Sequence, residues 1–206
     1  MGDIAIDRVP RTERGRQTLR RLLDAAASEF GERGYHEAAI TGITARAGVA
    51  LGSFYTYFES KEELYRALVR DMSRSVRHHI AEQLQGVSDR LTAERRGIAA
   101  YIGFVREHPN LYRIIEEAQF VAEDVYREHY DVFIAAYRDN LAAARARGEI
   151  SEGPDEARAW ALIGISVFAG MRYGLWSQDE TPEAIADTIG DLIIYGLAPR
   201  GKDDGR

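Results

Sequence analysis

The sequence predicts an all-α fold of about nine helices, in which a three-helix helix-turn-helix domain precedes a larger helical domain. Apolar residues recur every three or four positions along most of the chain. No run alternates apolar and polar residues in the way a half-buried strand does. Glycines and prolines stand between the periodic segments, where they begin and end helices.

The first three helices are predicted from apolar residues at helical spacing and from the glycines that end the helices. A helix over about residues 16–33 carries an apolar stripe, and Gly34 suits its end because glycine tolerates a left-handed backbone. Short helices are predicted at about 39–47 and 51–58, separated by the turn residues 48–50. A tight turn with glycine between two short helices is typical of a helix-turn-helix. The stripe residues of the first helix are Leu19, Leu22, Leu23, Ala26 and Phe30.

A long fourth helix begins at Ser60. Ser60 and Glu63 form a capping box, in which the Ser60 hydroxyl accepts from the Glu63 amide and the Glu63 carboxylate reaches back to the Ser60 amide. Apolar residues with a four-residue step continue from Leu64 to Leu84, so this helix is predicted to bridge two parts of the molecule. Further helices are predicted at about 89–107, 109–118, 120–147, 155–177 and 182–195.

Composition narrows the class of protein. The chain has no cysteine, which excludes disulfides and thiolate metal sites, and no apolar run long enough to span a bilayer. The arginine-rich start lacks the apolar centre of a signal peptide, so we expect a cytoplasmic protein. The net charge is −6, yet residues 8–21 hold six arginines against one acid. That cluster predicts a phosphate-binding end, with a solvated basic tail as the alternative.

Enzyme signatures are absent from the sequence. Residues 164–168 lack the second glycine of a nucleophile elbow and have no preceding strand. There is no phosphate-cradling glycine loop. The adjacent His78 and His79 point to different helix faces, and no histidine pair has the spacing of a helical zinc site. The sequence therefore predicts neither catalysis, a metal nor a cofactor.

The stretch from Ile43 to Leu64 carries the most specific pattern. It combines Ala-Gly-Val in the turn, Gly-Ser-Phe-Tyr-x-Tyr-Phe after it, and Ser-Lys-Glu-Glu-Leu at the start of the long helix. In this register it resembles the DNA-binding domain of the TetR family of repressors, over about residues 16–65. The resemblance implies a helix-turn-helix at 16–60 and a ligand-binding and dimerisation domain at 61–198. The arginine-rich start predicts a basic flexible arm at 1–15, and the polar end predicts a disordered tail at 199–206.

The resemblance implies a set of DNA contacts. Tyr55, Tyr57 and Lys61 match positions that meet phosphates, whereas Ser53 and Thr56 face base edges. For the two tyrosines the alternative is a core role, which we expect of Phe54 and Phe58. The sequence departs from the family at Ala39 and Leu51, so Thr41 or Thr44 and the arginine-rich arm are expected to supply the missing contacts. The full set is Arg14, Arg16, Thr41, Thr44, Leu51, Gly52, Ser53, Tyr55, Thr56, Tyr57 and Lys61.

The same resemblance implies a small-molecule cavity in the helical domain. Tyrosines are frequent after residue 100, and buried hydroxyls suit a cavity with polar points. The segment from His108 to Glu117 resembles a subgroup linked to fatty-acid or aromatic-acid degradation, which implies an acyl-CoA or carboxylic-acid effector. Arg172 is a candidate for an anionic ligand group or a salt bridge. The candidate lining residues are Phe104, Tyr112, Glu116, Phe120, Tyr130, Phe133 and Arg172.

The last two helices carry broad apolar faces that predict a homodimer interface, unless both faces are buried within one chain. The predicted function is a repressor that binds a palindromic operator and is released by its effector. An activator, or a helical dimer without specific DNA binding, is the alternative. The interface residues are Trp160, Ile163, Gly164, Val167, Phe168, Met171, Ile185, Ile189, Leu192 and Ile193.

Overall fold

The computed structural model describes residues 10–196, and this part of the chain contains nine α-helices, one π-helical segment and no strand. The predicted tail at 199–206 and the first nine residues of the predicted arm lie outside the described residues. The helices are α1 (Glu13–Glu37), α2 (Ile40–Ala47), α3 (Leu51–Tyr57), α4 (Lys61–Gln83), α5 (Arg90–Glu107), α6 (Pro109–Val121), α7 (Glu123–Ala146), α8 (Asp155–Ala169) and α9 (Pro182–Tyr195); the π-helical segment spans Gly170–Trp176.

Helix α1 begins three residues before its predicted start because Thr12 caps it. The Thr12 hydroxyl oxygen accepts from the Gly15 amide at 3.1 Å. Residues 13–15 are therefore helical and not part of a flexible arm. At the other end Gly34 leaves the helix with φ 73°, as predicted, although one more helical turn follows it.

The described residues group into two compact units. The first consists of residues 10–77 and 108–133. Its core holds apolar residues of α1 to α4 together with α6 and the start of α7. Phe30 and Tyr65 meet edge to face at 5.1 Å, and the buried Tyr65 hydroxyl donates to the Ile114 carbonyl at 2.7 Å. Helix α6 thus packs on α1 and α4 within one core.

The second unit consists of residues 78–107 and 134–196. Ile98 and Ile102 of α5 pack against Ile185 and Ala186 of α9 in its core. The π-helical segment lies against α5, and a Cβ on Gly170 would stand 2.5 Å from the Tyr101 ring. Gly170 therefore serves close packing within the chain.

The ends of α6 and α8 differ from the predicted ends. The break after α6 falls at Ala122, whose φ of −152° and ψ of 66° leave the helix, so α6 is three residues longer than predicted. The predicted helix at 155–177 is α-helical to Ala169 and π-helical after it. No helix among residues 10–196 is both long and apolar enough to cross a membrane.

Candidate DNA-binding and effector sites

The turn between α2 and α3 has the geometry that the sequence predicts. Gly48 adopts the left-handed conformation, with φ 63° and ψ 40°, and the Val49 amide donates to the Thr44 carbonyl at 3.1 Å. Ile43 of α2 and Phe54 of α3 are fully buried in the first unit. These contacts fix the angle between the two short helices and leave the outer face of α3 in solvent.

Ion pairs hold α2 against α1. Arg46 donates through Nε to the buried Glu29 carboxylate at 2.7 Å, and its other nitrogens reach Glu32. Gly42 lies against the same carboxylate, with its Cβ position 2.5 Å from Glu29 Oε1. Arg46 is therefore committed to this packing, and the structure gives it no role on the exposed face.

The outer face of α3 mixes apolar and hydroxyl groups. The Leu51 side chain is 44% exposed and Tyr55 is also exposed, with its ring edge on Phe54 at 5.2 Å. Nothing lies within 4 Å of a Cβ placed on Gly52, so a neighbouring molecule can approach the backbone closely there. Thr56 is exposed and bonds the Gly52 carbonyl at 3.5 Å.

A polar groove of about 430 Å³ connects α3 with the start of α1. Arg14 and Arg21 line it on one side, and Ser53, Thr56 and Tyr57 line it on the other. Four of the predicted residues are thus brought together: Arg14, Ser53, Thr56 and Tyr57. Arg21 was missed, although its seven-residue spacing from Arg14 places both on one helical face.

Two of the predicted DNA-binding residues, Arg16 and Thr44, have other partners. Arg16 pairs with Glu13 at 2.7 Å and bonds the Arg11 carbonyl at 3.3 Å. Thr44 is only 4% exposed, and its hydroxyl donates to the Thr41 carbonyl at 3.2 Å. The prediction that the Thr44 side chain meets DNA is therefore wrong, because that side chain is inside the core.

Lys61 is bound to the end of α1. Its ammonium donates to the carbonyls of Tyr35, His36 and Ala38 at 2.7, 3.3 and 2.9 Å, and lies 4.4 Å from the centre of the Tyr35 ring. All three N–H donors are used in this way. Its predicted phosphate contact requires at least one of these bonds to be exchanged.

The caps of α2 and α4 differ from expectation in detail. Ala39 makes no side-chain cap, and neither Thr41 nor Thr44 replaces it, although Thr41 is exposed beside it. At α4 the Glu63 amide donates to the Ser60 hydroxyl at 3.1 Å, as the capping box predicts. The Glu63 carboxylate accepts from the Glu59 amide, one residue earlier than predicted.

Four of the seven predicted effector residues lie together in the first unit. The Tyr130 hydroxyl of α7 donates to the Glu116 carboxylate of α6 at 3.4 Å. Burial raises the pKa of Glu116, and burial with the Glu116 charge raises the pKa of Tyr112 to about 12. Phe133 lies one turn beyond Tyr130. The arrangement offers aromatic walls and a carboxyl group that burial shifts toward its neutral form.

The other three predicted effector residues lie elsewhere. Phe120 is 82% exposed, because Ile114 and Ala118 turn the opposite face of α6 into the core. Phe104 is buried in the second unit, with its ring 5.2 Å from that of His79. The exposed Arg172 lies 5.3 Å from the Tyr173 ring and pairs with no carboxylate among residues 10–196. The predicted salt bridge of Arg172 is thus replaced by an aromatic contact.

Two residues that the sequence did not single out lie beside the Tyr130 cluster. His129 is buried, its Nδ1 atom has no hydrogen-bond partner, and burial together with the Arg77 charge lowers its pKa to about 4. Arg77 of α4 lies 5.8 Å from the Phe133 ring. The signal for His129 was its spacing, since residues 126, 129, 130 and 133 share one face of α7.

The predicted dimer residues divide into three groups by their exposure. Ile163 and Ile185 are buried in the second unit, so for them the core alternative holds. Trp160, Phe168 and Leu192 are exposed, and Phe168 reaches 66%. Trp176 and Tyr195, which were missed, are exposed aromatics of the same unit. The remaining five are half-buried: Gly164, Val167, Met171, Ile189 and Ile193.

A second groove of about 420 Å³ lies within the second unit, between α5, α8 and α9. Its polar walls are already paired. Glu94 is buried against Arg90 and accepts from the Tyr137 hydroxyl at 3.4 Å, and Arg158 bonds the carbonyls of Ser151 and Glu152. Because these polar groups already bond to one another or to backbone carbonyls, mainly apolar side chains are left in this groove to contact a ligand.

Comparison with known proteins agrees with this geometry. The family described as bacterial regulatory proteins, tetR family, matches residues 22–68. The uncharacterized HTH-type transcriptional regulator YdgC of Bacillus subtilis (strain 168) is 30% identical over 92% of this chain and 97% of its own. The HTH-type transcriptional activator FasR of Mycolicibacterium smegmatis is 32% identical over 75% of each chain. The fold matches Bacillus subtilis FadR in complex with stearoyl-CoA, with TM-score 0.76, 19% identity, and 87% of this chain and 99% of that chain covered.

Proposed function

Since this chain belongs to the tetR family of bacterial regulatory proteins, we propose that it is a ligand-responsive repressor that binds a palindromic operator as a homodimer. It acts by binding and not by catalysis, in the cytoplasm where the DNA is. The observation that carries the proposal is the groove that joins Arg14 and Arg21 to Ser53, Thr56 and Tyr57. Cations and hydroxyls on one open surface are the groups that meet phosphates and base edges.

The roles divide along that surface. Arg14, Arg21 and the tyrosine hydroxyls contact phosphates, and the open backbone at Gly52 lets α3 enter the major groove. Ser53 and Thr56 contact base edges, while the exposed Leu51 meets a thymine methyl group. None of these side chains forms a bidentate pair with a base, so specificity comes from several modest contacts.

Dimerisation supplies the second half of the DNA contact. The exposed apolar side chains of α8 and α9, led by Phe168, suit a helical interface with a second copy of this chain. A twofold axis between two copies matches a palindromic site, because each copy reads one half.

The effector is a carboxylic acid or an acyl-CoA. The neighbour FadR is described in complex with stearoyl-CoA, and this chain shares its fold. The buried aromatic and carboxyl groups around Tyr112, Glu116 and Tyr130 support binding of an apolar molecule with a polar end. An activator is the second candidate, because the relative FasR is described as one.

Selection of bound sequences from a pool of random DNA, with purified full-length protein at physiological salt, tests the proposal. We expect recovery of a palindromic site whose binding is weakened by acyl-CoAs or long-chain acids. Binding that strengthens with the effector contradicts release of the operator by the effector. Absence of enrichment over non-specific DNA, with and without these effectors, contradicts the proposal.

A further inference from the structure

Arginines of α4 face acidic residues of α7 within the first unit. Arg66 pairs with Asp124, and Arg70 pairs with Glu128 at 2.9 Å, one helical turn further along both helices. Arg74 pairs with Asp71 on its own helix at 3.3 Å. Each of these three cations therefore has a carboxylate within salt-bridge distance.

Arg77 ends this series without a carboxylate. No acidic oxygen lies within 4.0 Å of its guanidinium among the residues that the structure describes. Its Nη1 atom donates to the Ser73 hydroxyl at 2.5 Å, and its guanidinium carbon lies 5.8 Å from the centre of the Phe133 ring. Burial and the charge of Arg74 lower the pKa of Arg77, against a smaller opposing effect of Glu128. A partly buried cation thus lacks a direct counter-charge.

His129 lies beside this cation on α7. Its side chain is 8% exposed, and its ring centre lies 5.0 Å from that of Phe133 and 4.9 Å from that of Tyr130. The buried Nδ1 atom has no hydrogen-bond partner. Buried polar atoms without partners are rare because the lost solvation is not recovered. Two groups that lie against one phenyl ring are therefore incompletely paired: Arg77 lacks a counter-charge, and His129 Nδ1 lacks a hydrogen-bond partner.

We propose that Arg77 and His129 bind the anionic group of the effector, a carboxylate or a phosphate. The guanidinium donates to the anionic oxygens and the imidazole donates through Nδ1, while Phe133 and Tyr130 contact the attached apolar part. Glu116, which accepts from Tyr130 in the same cluster, repels a second anion there when it is ionised. The inference rests on the proposed function, and it adds which chemical group of the effector is recognised and by which residues.

Calorimetric titration of the delipidated full-length protein tests it with four probes: dodecanoate, dodecanol, lauroyl-CoA and coenzyme A. We expect wild type to bind dodecanoate or lauroyl-CoA at least about 10-fold more tightly than dodecanol. Arg77→Gln should weaken the anionic probe by about 10- to 100-fold, the range of a hydrogen bond to a charged group, and leave dodecanol unchanged. Arg70→Gln is the matched control, because it removes a neighbouring cation that already has Glu128, and it should leave all four affinities unchanged.

The pattern of loss identifies the source of the anion. Loss for dodecanoate alone assigns a carboxylate, and loss for lauroyl-CoA and coenzyme A assigns a phosphate. Equal loss in Arg70→Gln, no loss in Arg77→Gln, or no preference of wild type for the anionic probes each overturns the inference. Operator selection with the same proteins decides the proposed function separately. If Arg77→Gln does not fold, His129→Phe carries the same comparison, with the same expected loss for the anionic probe.

Discussion

The arginines of α1 differ in whether their charge is already paired with a carboxylate of the same chain. Arg16 shares its charge with Glu13, and Arg20 with Asp24 and Asp71. Arg14 and Arg21 line the groove and pair with no carboxylate among residues 10–196. Local charge in the sequence identified the cluster, but which members remain unpaired depends on how the side chains turn in the folded helix.

Replacing Arg14 or Arg21 by alanine should weaken DNA binding at low salt. It should also make the negative slope of log affinity against log salt shallower, by about 1 for each phosphate contact removed. Arg16→Ala should change the slope less, because Glu13 already neutralises that charge. Fluorescence anisotropy on the selected operator at several salt concentrations measures the slopes. Equal slopes for wild type and Arg21→Ala would exclude a phosphate contact at this position.

His129 makes stability depend on pH. Its pKa is about 4 in the folded protein and near 6.5 when exposed. Between these values the unfolded chain binds a proton that the folded chain does not, so the free energy of unfolding falls as pH falls from 6.5 to 4. The total is roughly 3 kcal/mol.

His129→Phe removes the imidazole that binds this proton. Its free energy of unfolding should therefore fall less than that of wild type between pH 6.5 and 4, as measured by urea unfolding at pH 7, 5.5 and 4. The charged groups near the imidazole, Arg77 of α4 and Glu128 of α7, are the same in both proteins. Their contributions therefore cancel in the difference. Parallel curves for the two proteins would show that the imidazole is not buried in its neutral form.

Between helices, Glu117 joins α6 to the end of α1. Gly34 turns the chain, which leaves the Tyr35 amide without a helical acceptor, and both Glu117 oxygens accept from it at 2.9 and 3.0 Å. Glu117→Ala should reduce the free energy of unfolding by about 1 to 3 kcal/mol, since that amide loses its partner. Urea denaturation at pH 7 measures the loss.

Arg127→Ala is the control for Glu117→Ala. It breaks the exposed pair of Arg127 with Glu123 within α7, and such pairs contribute at most about 1 kcal/mol. A loss in Glu117→Ala no greater than in this control would mean that solvent replaces the carboxylate at the Tyr35 amide.

Most helices were predictable from the sequence, because apolar spacing and capping residues are patterns within a few consecutive turns. Pro109 and Pro182 begin helices where expected, and Gly48 ends α2. The break at Ala122 was not predictable, since alanine favours a helix and no local residue marks the turn. The π-helical segment was also missed, because Gly170 and Gly174 fit against α5, a contact distant in sequence.

At the scale of the whole molecule, assembly depends on side chains that a single chain leaves exposed. Phe168→Glu places a charge on the exposed α8 face and should convert a dimer to monomers, because an unpaired charge at a buried interface is costly. Light scattering after size-exclusion chromatography gives the mass. Phe120→Glu is the matched control, since Phe120 is more exposed but lies on α6, and it should leave the mass unchanged. A dimeric Phe168→Glu protein would place the interface elsewhere.

The candidate sites were partly predictable at this scale. The α3 face followed from a motif continuous in sequence, from Leu51 to Tyr57. The effector residues did not, because aromatic periodicity marks a helix face without saying what that face meets. Phe120 and Tyr130 look alike in the sequence, yet one is exposed and the other bonds Glu116. Whether such a side chain is buried depends on packing between residues distant in sequence, and no local sequence pattern indicates that packing.

The three carbonyl bonds of Lys61 bear on how this protein can be labelled. The chain has only two lysines, Lys61 and Lys202. Amine-reactive dyes are attacked by accessible amines, whereas the Lys61 amino group is occupied by three carbonyl acceptors and an aromatic ring. Coupling through amines is therefore disfavoured at Lys61, so labelling leaves the start of α4, beside the helix-turn-helix, unmodified.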